Sequence, residues 1–368
     1  MNVLIMQHGI FPGSVAPIAK EYAKHLHQSG VNVSVAVIGR YSPHTSAESL
    51  EYPIYSIDPS NIIQVYMKLR LLLKPFDIVH YFPSKGMELM PLLSPRTKFI
   101  FNRLSVSVTG NVFKDRMINL LKRLQPIFAD CAVFTDEPLA VSLKPIGGKK
   151  VYLLPVGYPD DLFFPCAPYQ ESKEKMLIYH GAVRPQRNLE QLIEVLKVLP
   201  REYTLTIIGG GSTADDEYRE YLGNIAKDLG CADRLTLTNM PQAKIRTEIE
   251  KAYLCLSYVP MWECFQDQFV LKTLEYLACH RPVMTTATRY SKQFSQEIGE
   301  GHILLTDGTV DDMVNKIVNA EKYINEFYLP QNLASLTKCL SAYSIKSIVN
   351  QHLLPLYRSI LDKSDVAE

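Results

Sequence analysis

The chain has 368 residues, 47% of them hydrophobic and 21% charged. That composition excludes a disordered protein, and the length exceeds the roughly 250–300 residues that one hydrophobic core supports, so two domains are expected. A formal net charge of +1 excludes the strongly basic balance of a dedicated nucleic-acid binder.

The near-neutral total hides an asymmetry. Residues 1–165 carry 17 basic against 12 acidic side chains, and the remainder carry 22 against 26. Such a difference is either incidental or a sign that the first half meets an anionic surface or acceptor. Seven cysteines (Cys131, Cys166, Cys231, Cys255, Cys264, Cys279, Cys339) stand singly with no CxxC pair, which predicts free thiols in a reducing compartment. The opening MNVLIMQHGIFPGS lacks the basic start of a signal peptide, and no apolar run approaches the roughly 20 residues that span a bilayer. A cytoplasmic protein is expected, either soluble or peripheral on the cytoplasmic face of a membrane.

In chain order, NVLIMQ reads as a strand ended by Gly9, Pro12 and Gly13, with a helix from about Pro17 to Gly30 and the strand VNVSVAVIG after it. Strand, glycine turn, helix and strand form a βαβ unit, and uninterrupted apolar strands imply a parallel sheet covered on both faces. A helix near 62–74, the strand FDIVHYF, a helix near 86–93, the strand TKFIFN, a helix over 113–128, the strand CAVFT, a short helix and the strand KKVYLLPVG continue the alternation. The loop YPDDLFFPCAPYQESK reads as a linker. A second alternation then runs through KMLIYHG, TLTIIGGG, RLTLTN, AYLCLSYVP, RPVMTT and HILLT, with helices near 188–199, 218–229, 244–251, 269–279 and 310–324. A last helix covers about 344–361. The expected architecture is α/β, two doubly wound parallel-sheet domains (1–165 and 166–340) with a terminal segment (341–368). Folds of this kind bind ligands at the carboxyl ends of their strands.

Four segments are candidates for chemistry. Gly209-x-Gly211-x-x-Ala214, after the strand TLTII, formally fits a dinucleotide fingerprint, but it opens the second half and is followed by Asp215 and Asp216, which oppose phosphate. It is equally a plain strand-to-helix turn. In YHGAVRPQRNLEQL, Gly181 ends a strand and Arg184 and Arg187 precede a helix, where guanidinium groups grip a diphosphate or simply sit in solvent. Gly13 and Ser14 lie before the first helix with backbone N–H groups suited to a phosphate or sugar hydroxyl. In DQFVLKTLEYLACHRPV, Lys272 and Glu275 are three residues apart on a helix whose core side is Phe269, Val270, Leu274 and Leu277. They form an exposed ion pair or face a ligand.

These segments, with FDIVHYF and VYLLPVGYPDDLFFP, resemble the GT-B glycosyltransferases of group 1 (family GT4), and the resemblance extends from Asn2 to about Leu361. It implies two Rossmann-like domains facing across a cleft, a C-terminal helix crossing back to the first domain, and retaining transfer of a sugar from a nucleotide diphosphate, UDP- or GDP-linked, to an acceptor hydroxyl. The acceptor would be a glycan or lipid-linked glycan of cell-surface polysaccharide or glycoconjugate synthesis. The family frames its donor with an acidic residue, seven intervening residues and a glutamate, a spacing that Asp267 and Glu275 have here. Glu275 would then hold the ribose, Asp267 the transferred sugar, and Arg187, with Arg184, Lys272 and the N–H of Thr273, the diphosphate. Gly13, Ser14, Gly181 and Gly209 would let backbone approach the donor. Asp267, Arg187 and Lys272 are the catalytic candidates, with no metal and no cofactor expected.

The chain departs from the family pattern at four places. Asp267 is a methylene short, with Glu263 as the alternative; Val270 replaces a glycine; Ala182 stands for an arginine; and Asn102 and Arg103 occupy the acceptor-side position of a histidine. The helix VFKDRMINLLKRLQPIF mixes apolar and basic residues, which suits either a buried helix with a solvated basic side or one lying on an anionic membrane. A sugar-nucleotide epimerase, a nicotinamide oxidoreductase and a non-catalytic sugar-nucleotide-binding protein are the rival functions, the oxidoreductase disfavoured by the misplaced fingerprint.

Overall fold

A computed structural model describes residues 1–11, 17–41, 51–82, 86–106, 112–170, 172–210, 213–299 and 301–362. The chain forms two compact units, one comprising 1–156 with 345–368 and the other 157–344.

In the first unit, β1 (Asn2–Phe11), α1 (Pro17–Gln28), β2 (Asn32–Tyr41), β3 (Ile54–Ile57), α2 (Ile62–Leu72) and β4 (Ile78–Tyr81) lead through a 3-10 turn at Met90–Leu93 to the remaining elements. These are β5 (Lys98–Arg103), α3 (Val112–Lys122), β6 (Cys131–Phe134), α4 (Glu137–Ser142) and β7 (Lys150–Leu153). The seven strands are parallel in the order β3-β2-β1-β4-β5-β6-β7. Alternate residues serve opposite faces, as the period of two demands. Val3 and Ile5 join the core beneath α1, while Leu4 and Met6 join the core beneath α2.

The second unit repeats the plan with β8 (Lys175–His180), α5 (Glu190–Val198), β9 (Tyr203–Ile208), α6 (Thr213–Asp228), β10 (Leu235–Thr238), α7 (Gln242–Ile249) and β11 (Leu254–Ser257). It continues with α8 (Leu271–Ala278), β12 (Val283–Thr286), α9 (Arg289–Ile298), β13 (Ile303–Thr306), α10 (Val310–Val318), α11 (Glu321–Phe327) and α12 (Pro330–Leu340). Its six parallel strands are ordered β10-β9-β8-β11-β12-β13.

Both units close their first strand pair with glycines for the same reason. A Cβ on Gly39 would fall 2.0 Å from the carbonyl oxygen of Gly9, and one on Gly209 would fall 1.8 Å from that of Gly181. Only glycine lets the strands approach this closely at their carboxyl ends.

The terminal segment runs as α13 (Ile345–Ile348), a π-turn at Val349–Leu353 and α14 (Leu354–Asp362). Ile345, Ile348, Val349, Leu353 and Tyr357 are buried in the core of the first unit, so the helix returns there as the resemblance implies. Pro355 lacks an N–H for the helical ladder, and the π-turn just before it absorbs the break.

Several expectations shift. The boundary falls at 156/157 rather than 165/166, because Tyr158, Phe163 and Cys166 are buried in the second unit's core, and the terminal segment begins at 345 rather than 341. The helix expected over 113–128 stops at Lys122; the ring of Pro126 would collide with the carbonyl four residues earlier. The segment 86–93 yields only the 3-10 turn. The strand β3 and the helices α9 and α12 were not expected, since β3 is a four-residue edge strand and α9 is largely polar. All seven cysteines are free. Among the described residues no helix is long and apolar enough to cross a membrane.

Candidate active site

In the second unit, the residues singled out from sequence gather around the carboxyl end of β8 and the first two turns of α8. Strand β8 ends in His180, and Gly181 then turns the chain, its N–H donating to Ile208 O at 2.9 Å. A 3-10 turn at Pro185–Arg187 follows, closed by Asn188 in the left-handed region (φ 48°). That turn delays the helix start from the expected 188 to Glu190. On α8, Leu274 and Leu277 fill the core, but seven of its eight residues are buried, including Lys272 and Glu275. These two are therefore not the wet side of an amphipathic helix.

Their surroundings are unusual for charged groups. Glu275 Oε2 lies 3.2 Å from His180 Nε2, but the two are not aligned as a hydrogen bond, since Nε2 has no hydrogen-bond partner. Lys272 Nζ is buried without a hydrogen-bond partner, 3.6 Å above the ring centroid of Tyr179. A Cβ on Gly181 would sit 3.5 Å from this ammonium, so the glycine and the lysine share one small space. Burial pushes the Glu275 carboxyl up to about 8, against the pull of Lys272. Burial and then the nearby Lys272 hold His180 neutral, down to about 3. Burial, followed by repulsion from Arg187, depresses Lys272 well below the usual lysine range. Taking such groups out of water is costly unless something completes them.

Arg187 adds a second cation, its guanidinium carbon 5.0 Å from the Phe265 ring centroid. Phe265 is in turn stacked on Trp262, with centroids 6.1 Å apart. Among the described residues neither Arg187 nor Lys272 has a carboxylate within ion-pair distance. The frame that holds α8 is well satisfied. Thr273 Oγ1 and Ser257 Oγ are 2.7 Å apart, and Thr285 Oγ1 donates to Ser257 O at 3.0 Å. The Tyr276 hydroxyl accepts from the His180 N–H at 2.9 Å. Rigid strands and a pinned helix therefore present an incomplete charge set.

Other predicted residues lie elsewhere or are engaged. Arg184 Nε donates to the carboxylate of Asp215 at 2.9 Å, so its charge is spent on the acidic residue that the fingerprint reading had found awkward. Asp216 likewise holds Arg219 at 2.8 Å. The Thr273 N–H donates to Val270 O at 2.9 Å within the first turn of α8, which removes it as a phosphate contact. Gly13 and Ser14 lie outside the described residues.

Asp267 and Glu263 do not compete for one place, because both grip the exposed Arg289. Arg289 Nε and Nη2 donate to the two oxygens of Asp267 at 2.8 and 2.7 Å, and Nη2 also reaches Glu263 at 2.7 Å. The Arg289 hydrogen bonds hold the Asp267 carboxyl below its usual range. In the first unit, Asn102 is buried against His80 rather than open to an acceptor, its Nδ2 donating to Nε2 at 2.8 Å. Arg103 donates to Gln125 Oε1 and lies 5.9 Å over the Phe101 ring.

His180, Tyr179, Tyr276 and Arg289 were missed as site residues. The position of His180 immediately before the strand-ending glycine was the available signal.

Comparison with known proteins bears on the fold and on the second unit. Residues 174–322 match the family model of the glycosyl transferases group 1. HepE from Anabaena, solved with UDP and glucose, superposes over 96% of this chain and 98% of its own with a TM-score of 0.75 at 14% identity. Sucrose-phosphate synthase from Thermosynechococcus elongatus covers 98% and 99% with a TM-score of 0.72 at 16% identity. The lipopolysaccharide outer core galactosyltransferase WaaB covers 96% and 99% with a TM-score of 0.61 at 13% identity. Among curated proteins no sequence matches significantly.

The two parallel-sheet units, with these likenesses spanning nearly the whole chain, define the class as GT-B. With a group 1 glycosyl transferase domain at 174–322, the protein is a glycosyltransferase of that architecture.

Proposed function

We propose that the protein is a retaining glycosyltransferase that takes its sugar from a nucleotide diphosphate, with UDP-sugars the first class to test because HepE was solved with UDP and glucose. The observation that carries this reading is Lys272, a buried ammonium with no hydrogen-bond partner beside a strand-ending glycine. A diphosphate oxygen supplies what it lacks, and Arg187 takes the neighbouring charge. The Glu275 carboxylate accepts hydrogen bonds from the ribose hydroxyls, a bidentate role for which its two oxygens suit it.

In the transfer step the bond from the anomeric carbon to the diphosphate oxygen breaks and charge accumulates on the leaving group. Fixed cations aimed at that charge are the largest usual source of rate. The acceptor hydroxyl's oxygen bonds to the anomeric carbon on the face that the leaving group vacates while its proton passes to a donor phosphate oxygen, so the configuration is retained. Asp267, already neutralised by Arg289, positions the transferred sugar and does not attack it. We assign the leaving charge to Lys272 and Arg187 without a resident metal, and chelation then leaves the rate unchanged. The first unit is assigned to the acceptor, a glycan or lipid-linked glycan, in keeping with the lipopolysaccharide substrate in the name of WaaB.

A thermal-shift screen of UDP-, GDP- and ADP-sugars tests the donor reading, since ligand binding adds directly to stability. One nucleotide is expected to raise the midpoint of the intact protein, and Glu275→Ala to abolish the rise. No shift with any of the three overturns the assignment. Isomerised donor in the absence of acceptor would turn the reading toward an epimerase.

A further inference from the structure

Trp262 is the only tryptophan of the chain, and it is 42% exposed, beside Met261 at 46%. Both lie between β11 and α8, the helix of Lys272 and Glu275. The apolar bulk of tryptophan normally draws most of it under cover. Two large apolar side chains open to solvent next to a candidate site therefore ask for an occupant.

The pair is not a loose tip. Phe265, only 2% exposed, is stacked on the indole with centroids 6.1 Å apart and planes 28° apart. The buried Gln266 fixes Met261, its Nε2 donating to Met261 Sδ at 3.8 Å. Gln266 is itself held, its Oε1 accepting from the Arg289 N–H at 3.3 Å and its carbonyl from the Tyr290 N–H at 2.9 Å. A Cβ on Gly308 would lie 3.5 Å from Met261 Cγ, so the turn after β13 supports the methionine as well. A platform fixed before its ligand arrives loses little entropy on binding.

The stack sets the direction. One face of the indole is turned to Phe265, the ring over which Arg187 also lies at 5.0 Å; the open face is turned away from it. A sugar still bonded to a diphosphate at Arg187 belongs on the Phe265 side, which leaves the open face for a different ring.

Chemistry selects that ring. A hexopyranose carries C–H groups on its faces and hydroxyls around its edge, so it fits an aromatic plane rimmed by hydrogen-bonding groups. The side chain of Glu263 is 80% exposed and accepts from Arg289 at 2.7 Å, which leaves a carboxylate with further lone pairs for sugar hydroxyls. With Asp267 on the same arginine, the rim sets two carboxylates against one guanidinium, a balance that repels phosphates and anionic head groups. Two side chains also fall far short of the roughly 800 Å² per partner that a protein interface buries.

We infer that Trp262 and Met261 form a glycan subsite on the second unit, the open face of the indole holding a pyranose ring and the Glu263 carboxylate accepting from its hydroxyls. It rests on the proposed function only in taking that glycan as the acceptor.

The test is the emission of Trp262, which reports on this position alone. The full chain is titrated with maltotetraose, cellotetraose and chitotetraose without nucleotide, and separately with UDP and UDP-glucose. At least one of the three glycans is expected to shift the emission to the blue and to cut acrylamide quenching about twofold or more, as covering the open face requires. UDP and UDP-glucose should leave both nearly unchanged. In isothermal titration Trp262→Ala is expected to weaken that glycan about tenfold, and Trp262→Tyr to restore most of the affinity. The indole is exposed, so circular dichroism and the thermal shift with nucleotide sugar should stay as in the parent. No response to any of the three glycans, or equal glycan binding by Trp262→Ala, overturns the inference. So does a full response to UDP-glucose, which would put the transferred sugar on the indole, or self-association in light scattering that Trp262→Ala dissolves. If no nucleotide stabilises the parent, the donor reading fails and the glycan result stands by itself.

Discussion

Two buried histidines, one in each unit, show how differently the two halves use polar groups. Burial holds both neutral, each down to about 3. His80 is complete. Its Nδ1–H donates to the Tyr357 hydroxyl at 2.7 Å and its Nε2 accepts from Asn102, while the buried Tyr22 hydroxyl also bonds Asn102. The network fastens α14 to the first sheet, and every member is satisfied from within the chain. His180 instead faces a protonatable carboxylate and stands near a lysine with no hydrogen-bond partner. A closed network stabilises a fold; an open one, held rigidly, is what a ligand completes.

Three experiments break or sharpen this contrast. The largest effect is expected at Lys272: Lys272→Met should slow sugar transfer about 100- to 1,000-fold, the range for removing one preorganised charge-stabilising group. The thermal midpoint of the unliganded protein should hold or rise, because an uncompensated buried cation is replaced by an apolar chain of similar length. A loss of stability with intact turnover would place Lys272 in the closed class with His80.

The converse substitution, His80→Phe, leaves Asn102 and Tyr357 unsatisfied and should cost about 1–3 kcal/mol in denaturant unfolding. The midpoint gain on adding nucleotide sugar should be unchanged. A selective loss of donor binding would mean that the first unit's network serves the site after all.

The smallest effect is in pH. The Glu275 carboxyl, ordinarily near 4.5, titrates at about 8 in the folded protein, so the folded state holds a proton that the unfolded chain releases. Its contribution to stability is complete below about 4.5 and is lost as pH rises toward 8. His80 and His180 act in the opposite sense, contributing fully above about 6.5 and losing that contribution as pH falls toward 3. Because the ribose needs the ionised carboxylate, the Glu275 contribution to donor affinity should rise with pH up to about 8, by at most about tenfold per unit, while loss of the Lys272 proton, whose affinity burial lowers, acts in the opposite sense. Isothermal titration across pH 6–9 measures this, and Glu275→Gln should remove the rise.

Much of the fold was legible because its signals are local. Apolar strands alternating with amphipathic helices, broken by glycine turns, announce two parallel sheets, and the paired glycines at Gly9/Gly39 and Gly181/Gly209 stand where strands converge. The spacing of Lys272 and Glu275 on one helix was equally visible. The misses have separate causes: β3 is short and at an edge, and α9 is mostly polar.

Sequence by itself thus determined most of the secondary elements, the class of fold and the helix on which the donor-site candidates sit, because each depends on residues within a few positions of one another. The tertiary structure alone decided which charges are satisfied. Arg184 is claimed by Asp215, 31 residues away, and Asp267 by Arg289, while Lys272 is left without a hydrogen bond and Asn102 is drawn into the lock on the terminal helix. Partnership between side chains far apart in the chain is a property of packing, and packing separates an arginine already paired with a carboxylate from a lysine left without a hydrogen-bond partner.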